Sequence, residues 1–209
     1  MPRRFNLRRA ILFALLFPLT IHASYIIKND TLHNPKAIKL IEKMGDELVE
    51  KTGIHAYILT TNKAFQIGAN LVEYSQQFKS KMQEPYVLYL FAPNAEITEK
   101  TEITGRVGII PSSPELKKLY DYDDVRDAGL DVITVKDKNS IDDKYTIGLV
   151  QAYSELADDI AEAKGVKMTT TMKNDTRMFI DIFKVILYIG LAFIIWIYWI
   201  RPVVMRIKS

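Results

Sequence analysis

The sequence predicts an α/β domain whose mixed β-sheet is flanked by helices. Three observations support this fold class. Helix-like and strand-like segments alternate, the strand-like segments are short and rich in apolar β-forming residues, and two of them follow each other as a hairpin would. With 209 residues, the chain has the length of one globular domain plus short appendages.

The first half of the domain predicts a helix, a strand and a second helix. Residues 34–52 open with Asn-Pro, keep an apolar stripe and end before a glycine, which is the pattern of an amphipathic helix. Residues 54–60 (IHAYILT) form a compact β-rich string and predict a strand. A stripe across residues 71–82, with spacings of four, three and four, predicts the second helix.

The second half begins with the strongest strand of the sequence, residues 86–91 (YVLYLF). A turn at 92–94 then leads to a strand at 103–110, and this hairpin makes the sheet mixed. The segment 128–135 fits helix and strand equally and is assigned as helix. The helices predicted after the hairpin cover residues 113–120, 128–135 and 142–165.

The N-terminal residues 1–23 predict an export signal. Four arginines precede a short apolar stretch, and Ala23 is a small residue before a cleavage point at Ser24. The apolar stretch has about 12 residues and covers roughly 18 Å, which is short of a bilayer core of about 30 Å. Cleavage is therefore predicted, with residues 24–33 as a leader. The alternative is an uncut signal that stays as a first membrane helix.

A second apolar segment, residues 179–200, predicts a transmembrane helix. Trp196, Tyr198 and Trp199 gather near its end, as an interfacial aromatic belt would. A buried helix of a soluble domain is the alternative. Residues 167–178 are polar and rich in threonine, and they predict a short tether between the domain and the membrane.

The orientation in the membrane follows from the export signal, because three basic residues on each flank of the apolar segment balance each other. Export of the preceding chain places the domain in the periplasm of a bacterium and residues 201–209 in the cytoplasm. The predicted location is therefore the cytoplasmic (inner) membrane, with a single pass.

Composition excludes several classes of function. Of the 28 Lys and Arg residues, seven lie in the two ends, so the rest of the chain carries 21 against 25 Asp and Glu, a net charge of about −4. Such a body does not attract nucleic acid, which requires basic surface. The chain has no cysteine, which excludes disulfides and thiolate metal sites.

A search for catalytic motifs is largely negative. The sequence contains no Gly-x-Ser-x-Gly, His-Glu-x-x-His, P-loop or Gly-x-Gly-x-x-Gly motif. Outside the export signal the only histidines are His33 and His55, so a histidine-based hydrolase is not expected. His55 lies beside an apolar strand and is predicted to be a hydrogen-bonded structural residue. No catalytic or organic-cofactor site is assigned.

One acidic cluster has the composition of a metal site. Four carboxylates fall within seven residues, and oxygen ligands at close spacing suit calcium or magnesium. The cluster lacks the glycine and the final glutamate of an EF-hand loop, so its ligands would converge through tertiary structure. The alternative is that Asp123 and Asp124 are ordinary carboxylates at a helix N-terminus. The candidate ligands are Asp121, Asp123, Asp124, Asp127 and, from the start of the last helix, Asp142 or Asp143.

Residues 34–164 resemble a TPM domain, a family named for thylakoid, phosphatase and membrane. The similarity lies in the order of short strings: Lys-Thr-Gly at 51–53, IHAYILT, the helix at 71–82, YVLYLF, Leu-Tyr-Asp at 119–121, and Asp-Lys-Tyr-Thr-Ile-Gly-Leu at 143–149. Residues 106–111 depart from it, because the family commonly has Gly-x-Gly-Leu-Glu there. The resemblance implies a three-layer sandwich over residues 34–166.

The resemblance also implies a function. Calcium binding and acid phosphatase activity occur in the family, which would involve Asp121, Asp124 and Asp143. The alternative is a binding, assembly or maintenance factor for a membrane protein complex, which the tether favours because confinement to one membrane raises effective concentration. We expect the binding, assembly or maintenance function, with partners on the periplasmic side of the membrane.

Overall fold

The computed structural model describes residues 24–98 and 104–172, together with the single residues 191, 193, 196 and 198. Two short 3-10 helices cover Lys79–Lys81 and Pro114–Leu119. The strands and α-helices of this part are β1 (Ile26–Lys28), α1 (Pro35–Thr52), β2 (His55–Thr60), α2 (Leu71–Gln76), β3 (Tyr86–Glu96), β4 (Thr104–Pro111), α3 (Tyr122–Thr134) and α4 (Ile141–Ala163).

The four strands form one sheet in the order β1-β2-β3-β4. β1, β2 and β3 are parallel, and β4 returns antiparallel to β3. Every residue of β2 is buried, which explains its apolar string, because a central parallel strand is covered on both faces. The predicted α/β class, the mixed sheet and the hairpin of β3 and β4 are confirmed.

Helix α1 begins and ends where its caps predict. The Asn34 side chain accepts a hydrogen bond from the backbone N–H of Lys36, and Pro35 occupies the first turn. Gly53 ends the helix at φ 70°, a left-handed conformation that glycine adopts without a Cβ clash. The apolar stripe is buried in the core through Ile41, Met44 and Leu48.

Helices pack on both faces of the sheet. The Tyr145 ring of α4 meets Phe91 of β3 edge-on, with ring centroids 5.2 Å apart, and α3 packs along α4. On the opposite face Leu71 of α2 lies against Gly108 of β4. Gly108 pairs with Leu90, the neighbour of Phe91 in β3. Because successive side chains point to opposite faces of a strand, α2 and α4 lie on opposite faces of the sheet.

Three predicted boundaries need correction. The helix expected over 71–82 ends at Gln76 and is followed by the 3-10 turn at Lys79–Lys81. The turn expected at 92–94 is instead part of β3, which reaches Glu96 through an irregular register where Pro93 lacks a ladder N–H. The helix assigned to 128–135 begins earlier, at Tyr122, and ends at Thr134.

The leader 24–33 belongs to the domain. It contributes β1 at the edge of the sheet, and Tyr25 and Leu32 are buried in the core. The hydroxyl oxygen of Thr60 accepts hydrogen bonds from the backbone N–H groups of Asp30, at 2.8 Å, and Thr31, at 3.2 Å. A strand of three residues is too short to give a period-2 pattern, so the sequence reading overlooked it.

The predicted export signal (1–23) and cytoplasmic tail (201–209) lie outside the described residues. So does the predicted membrane helix at 179–200, apart from four single residues. Across the residues that the structure describes, no helix combines the length and the apolar character that a membrane crossing requires.

Candidate functional site

Asp121, the first residue of the predicted acidic cluster, caps helix α3. Its carboxylate accepts hydrogen bonds from the backbone N–H groups of Asp123, at 2.9 Å, and Asp124, at 3.1 Å. Both of these residues lie in the first turn of the helix, where carboxylates interact favourably with its dipole. Asp123 and Asp124 therefore lie where ordinary carboxylates at a helix N-terminus lie, which is the alternative to a metal site.

Asp123 and Asp127 both form ion pairs with Arg126. The guanidinium of Arg126 lies 2.7 Å from the Asp123 carboxylate and 2.8 Å from the Asp127 carboxylate. These side chains are largely exposed to solvent, with 71% of Asp123 and 52% of Asp127 accessible. Exposed ion pairs of this kind stabilise a fold by less than about 1 kcal/mol.

Asp143 lies at the other end of the domain from Asp121. The backbone N–H of Asp121 donates to the carboxylate of Asp159, near the end of α4, at 3.0 Å. Asp143 lies in the first turn of the same helix, where its carboxylate accepts from the Ser140 hydroxyl at 2.7 Å. Sixteen residues of helix separate Asp143 from Asp159, a distance of roughly 24 Å. The structure does not bring Asp143, or the adjacent Asp142, to the cluster around Asp121.

The described part of the chain, residues 24–98 and 104–172, holds no group of three or more His, Asp or Glu side chains arranged around a common metal position. Sequence reasoning did not identify Asp159 as a neighbour of the cluster. Its proximity depends on how α3 packs along α4, and nothing in the local sequence signals that contact.

The capping role of Asp121 gives a first prediction. The change Asp121→Ala removes two hydrogen bonds from the start of α3, and we expect it to lower the free energy of unfolding by about 1 kcal/mol. Urea unfolding of the full chain in detergent would measure the change. Asp121→Asn is the matched control, since asparagine caps equally well and should retain most of the stability. An equal loss in both variants would contradict the capping role.

A buried carboxylate on α1 binds the segment that follows α4. Glu47 of α1 is 9% exposed. One of its oxygens accepts from the backbone N–H and the hydroxyl of Thr169, both at 2.8 Å. Its other oxygen accepts from the backbone N–H of Thr170, at 2.9 Å, and from the Thr170 hydroxyl. We call this arrangement the Glu47 clasp.

Lys51 completes the clasp from the next turn of α1. Its Nζ donates to the Glu47 carboxylate at 2.7 Å and to the backbone carbonyl of Lys167 at 2.5 Å. Burial by itself raises the pKa of Glu47, but the hydrogen bonds from Lys51, Thr170 and Thr169 outweigh it and lower the pKa to about 2. The carboxylate is therefore charged at neutral pH.

Helix α4 holds the next two residues of the segment. The Thr171 hydroxyl donates to the Asp158 carboxylate at 2.8 Å, and the backbone N–H of Met172 donates to the Ser154 hydroxyl at 2.7 Å. Val166 and Met168 pack against the core. The tether predicted for residues 167–178 is thus docked along its first half, and the domain extends beyond the predicted boundary at residue 166 to Met172.

His55 is a buried residue of the aromatic core. Its ring stacks on Tyr57, with centroids 5.7 Å apart and planes within 1°. Burial lowers the pKa of His55, because it disfavours the charged form of the ring. Within the described residues Nδ1 has no hydrogen-bond partner. The structural role is as predicted, but the hydrogen bond expected for this residue is not present at Nδ1.

This burial predicts a pH dependence of stability. Because the pKa of His55 is lower in the folded chain, the unfolded chain binds the proton more readily, and stability falls as the pH drops through about 6.5. The loss between pH 7 and pH 5 should be smaller in His55→Phe, which keeps the ring contact with Tyr57 but cannot titrate. Chemical unfolding at several pH values checks this. An unchanged slope in the variant would contradict it.

No protein-family model matches the chain, and no curated protein matches it either. The class of protein is therefore defined by the structure alone. It is an α/β domain with a four-stranded mixed sheet, and the Glu47 clasp fixes the segment after α4 to the side of the domain formed by α1 and α4.

Proposed function

We propose that the chain is a membrane-anchored binding or assembly module. In this proposal a TPM-like domain, a three-layer sandwich, lies in the periplasm of a bacterium. The helix at 179–200 holds it on the cytoplasmic membrane, and it assembles or maintains a membrane protein complex. The observation that supports the proposal best is the Glu47 clasp, because it fixes the chain to the domain shortly before the proposed membrane helix.

The clasp shortens the connection to the membrane. Residues 167–178 would span at most roughly 40 Å as a free tether, at about 3.5 Å for each residue. With residues up to Met172 docked, only residues 173–178 separate the domain from residue 179, and these span at most roughly 20 Å. A short connection confines the domain to partners in the same membrane and favours their contact by raising effective concentration.

In this proposal the side of the domain formed by α1 and α4 lies nearest the membrane. Residues 167–172 run across α1 and α4, so the chain leaves from that side. A tether of full length would let the domain present all its surfaces equally, whereas the shorter connection limits the range of its orientations. A defined orientation suits a module that recognises a fixed partner, and free diffusion suits a hydrolase of soluble substrates.

A calcium- or magnesium-dependent acid phosphatase is the second proposal. It would use Asp121, Asp123, Asp124 and Asp127, of which Asp123 and Asp127 present exposed carboxylates one turn apart. A divalent cation there would replace Arg126 as their counter-charge and polarise a phosphoryl oxygen.

Crosslinking in native membranes tests the first proposal. We expect the full chain to crosslink to a defined set of membrane partners. Glu47→Ala should weaken that set, and Glu50→Ala, at an exposed position on the same helix, should leave it unchanged. A chain that crosslinks to no specific partner would contradict the proposal.

Turnover of a generic phosphate ester by the full chain tests the second proposal. It is measured with calcium, with magnesium and with chelator, beside the double variant Asp121→Asn, Asp124→Asn. Cation-dependent turnover that the double variant loses would favour the phosphatase. No turnover is expected if the chain is an assembly module.

A further inference from the structure

Glu42 of α1 binds the first two residues that the structure describes. The hydroxyl of Ser24 donates to its Oε1 at 2.9 Å. The backbone N–H of Tyr25 faces both of its oxygens, at 3.1 Å from Oε2 and 3.3 Å from Oε1. The hydroxyl oxygen of Ser24 in turn accepts from the backbone N–H of Ile26, at 3.3 Å. The chain is therefore bound to α1 from residue 24 onward.

Tyr25 fixes this end of the chain by packing as well as by hydrogen bonds. Its ring is buried against Gly45, where an added Cβ would lie 2.4 Å from a ring carbon of Tyr25. Its hydroxyl donates to the Asp46 carboxylate at 3.2 Å, and its carbonyl accepts from the backbone N–H of Ile58 at 2.8 Å. The position of the neighbouring Ser24 is therefore set by the core of the domain.

The carboxylate of Glu42 forms no ion pair within the part of the chain that the structure describes. Lys39 and Lys43 flank it on α1, but both are exposed and neither pairs with it. Asp46, one turn further along the helix, adds a second negative charge. The space beside Ser24 therefore suits a cation.

The backbone nitrogen of Ser24 lies close to the same carboxylate. Three covalent bonds join this nitrogen to the Ser24 hydroxyl oxygen, so the two atoms are at most about 4 Å apart. Because the hydroxyl contacts Glu42 directly, the nitrogen lies within roughly 7 Å of the carboxylate. In a chain that begins at Ser24, rotation about one backbone bond can bring the terminal nitrogen closer, because no residue precedes it.

Hydrolysis of the Ala23–Ser24 peptide bond changes the charge at this position. One water molecule is consumed. Its oxygen completes a carboxylate on Ala23, and its two protons go to the nitrogen of Ser24, which becomes an ammonium. An α-amino group has an ordinary pKa of about 8, so the ammonium is the main form at neutral pH. A neutral amide is thus replaced by a cation beside an unpaired carboxylate.

We propose that the mature chain begins at Ser24 and that its α-ammonium forms an ion pair with the Glu42 carboxylate. An endopeptidase on the periplasmic side of the membrane cleaves the bond after Ala23. The new terminus then joins the Ser24 hydroxyl and the Tyr25 N–H in binding Glu42, and it strengthens the attachment of β1 to α1. The inference rests on the export of the domain that the proposed function requires.

The mass of the protein purified from native membranes tests the cleavage. We expect a chain whose first residue is Ser24 and which therefore lacks residues 1–23. A chain that retains residues 1–23, or one cut at another bond, would overturn the proposal.

Titration of the terminal amine tests its contact with Glu42. Reductive methylation with carbon-13 gives this amine an NMR signal of its own, and we expect its pKa to lie above the ordinary value by about half a pH unit or more. Glu42→Gln keeps an acceptor oxygen for Ser24 and Tyr25 but removes the charge, and it should lower the pKa towards about 8. Glu50→Gln, at an exposed position on the same helix, should leave it raised. An equal pKa in the wild type and Glu42→Gln would overturn the proposal.

A measurement on the wild type alone keeps the test valid if Glu42→Gln does not fold. An increase in salt from about 0.01 M to about 1 M shortens the Debye length from about 30 Å to about 3 Å. The raised pKa of the terminal amine should then fall towards its ordinary value. An ordinary pKa at both salt concentrations would overturn the proposal.

The location of the domain separates this inference from the function on which it rests. A membrane-impermeant lysine reagent, applied to spheroplasts, reaches the exposed Lys39 and Lys43 only if the domain lies outside the cytoplasmic membrane. If both are labelled and the chain retains residues 1–23, the Glu42 inference is wrong and the proposed function stands. If neither is labelled, the periplasmic location is wrong and the inference is wrong with it. Labelling, a start at Ser24 and a raised amine pKa together support both.

Discussion

The Glu47→Ala variant is expected to release residues 167–172 from the domain and to lower the free energy of unfolding by about 3 kcal/mol. The carboxylate accepts all of the clasp hydrogen bonds from Thr169, Thr170 and Lys51, and alanine can accept none of them. Removal of a buried, hydrogen-bonded charge typically has a cost of this size. Urea unfolding and the rate of trypsin cleavage after Lys167, which is exposed, measure the two effects.

The control for this variant is Glu50→Ala, one turn further along α1. Glu50 is exposed, so its removal should change stability by less than about 0.5 kcal/mol and should not speed cleavage after Lys167. Similar cleavage rates in the two variants would show that Glu47 does not hold the segment.

The same clasp predicts loss of stability in acid. The pKa of Glu47 is about 2 in the folded chain and about 4.5 in the unfolded chain, so the unfolded chain takes up the proton first. The stabilisation is complete above pH 4.5 and is lost as the pH falls from about 4.5 to about 2. In Glu47→Ala the unfolding free energy should fall less over this range than in the wild type.

The Gly148→Ala variant is expected to lose about 2 to 3 kcal/mol of stability. A Cβ atom at this position would lie 2.7 Å from the backbone carbonyl oxygen of Gly129 and 2.7 Å from a side-chain carbon of Ile133. The backbone of α3 cannot yield as a flexible side chain could, so α3 and α4 must separate. The helix propensity of alanine recovers only about 1 kcal/mol. Thermal or urea unfolding of the full chain measures the difference.

Gly108→Ala is the matched control in β4. The nearest atom to a Cβ there belongs to the Leu71 side chain at 3.6 Å, which is ordinary van der Waals contact. Alanine should be neutral or slightly stabilising at this position, because glycine weakens a strand. A Gly148→Ala variant as stable as Gly108→Ala would contradict the close packing of α3 and α4.

Local patterns predicted much of the fold. The caps and stripe of α1 and the apolar strings of β2 and β3 depend on neighbouring residues only, and each is present in the structure. β1 was overlooked because three residues give no periodic pattern. The turn expected at residues 92–94 was wrong because Pro93 and Asn94 suggested a turn, whereas pairing with β4 carries the strand through them.

The candidate site was harder to predict because its contacts join distant parts of the chain. The threonines at 169–171 predicted a solvated tether, since their polar side chains have no local partner. Their hydrogen bonds are made with Glu47, more than 120 residues earlier, and with Asp158 on the preceding helix. The distance between Asp143 and Asp121 likewise depends on which end of α4 lies beside Asp121, and no local pattern in the sequence signals that contact.

Amide hydrogen exchange at Thr169 and Thr170, in the full chain reconstituted into a bilayer, tests the docked C-terminal segment most directly. We expect both amides to exchange far more slowly than in a free peptide, because both donate to the buried Glu47 carboxylate, and to lose that protection in Glu47→Ala. Exchange at the rate of a free peptide in the wild-type chain would show that residues 167–172 are a free tether and would contradict the Glu47 clasp.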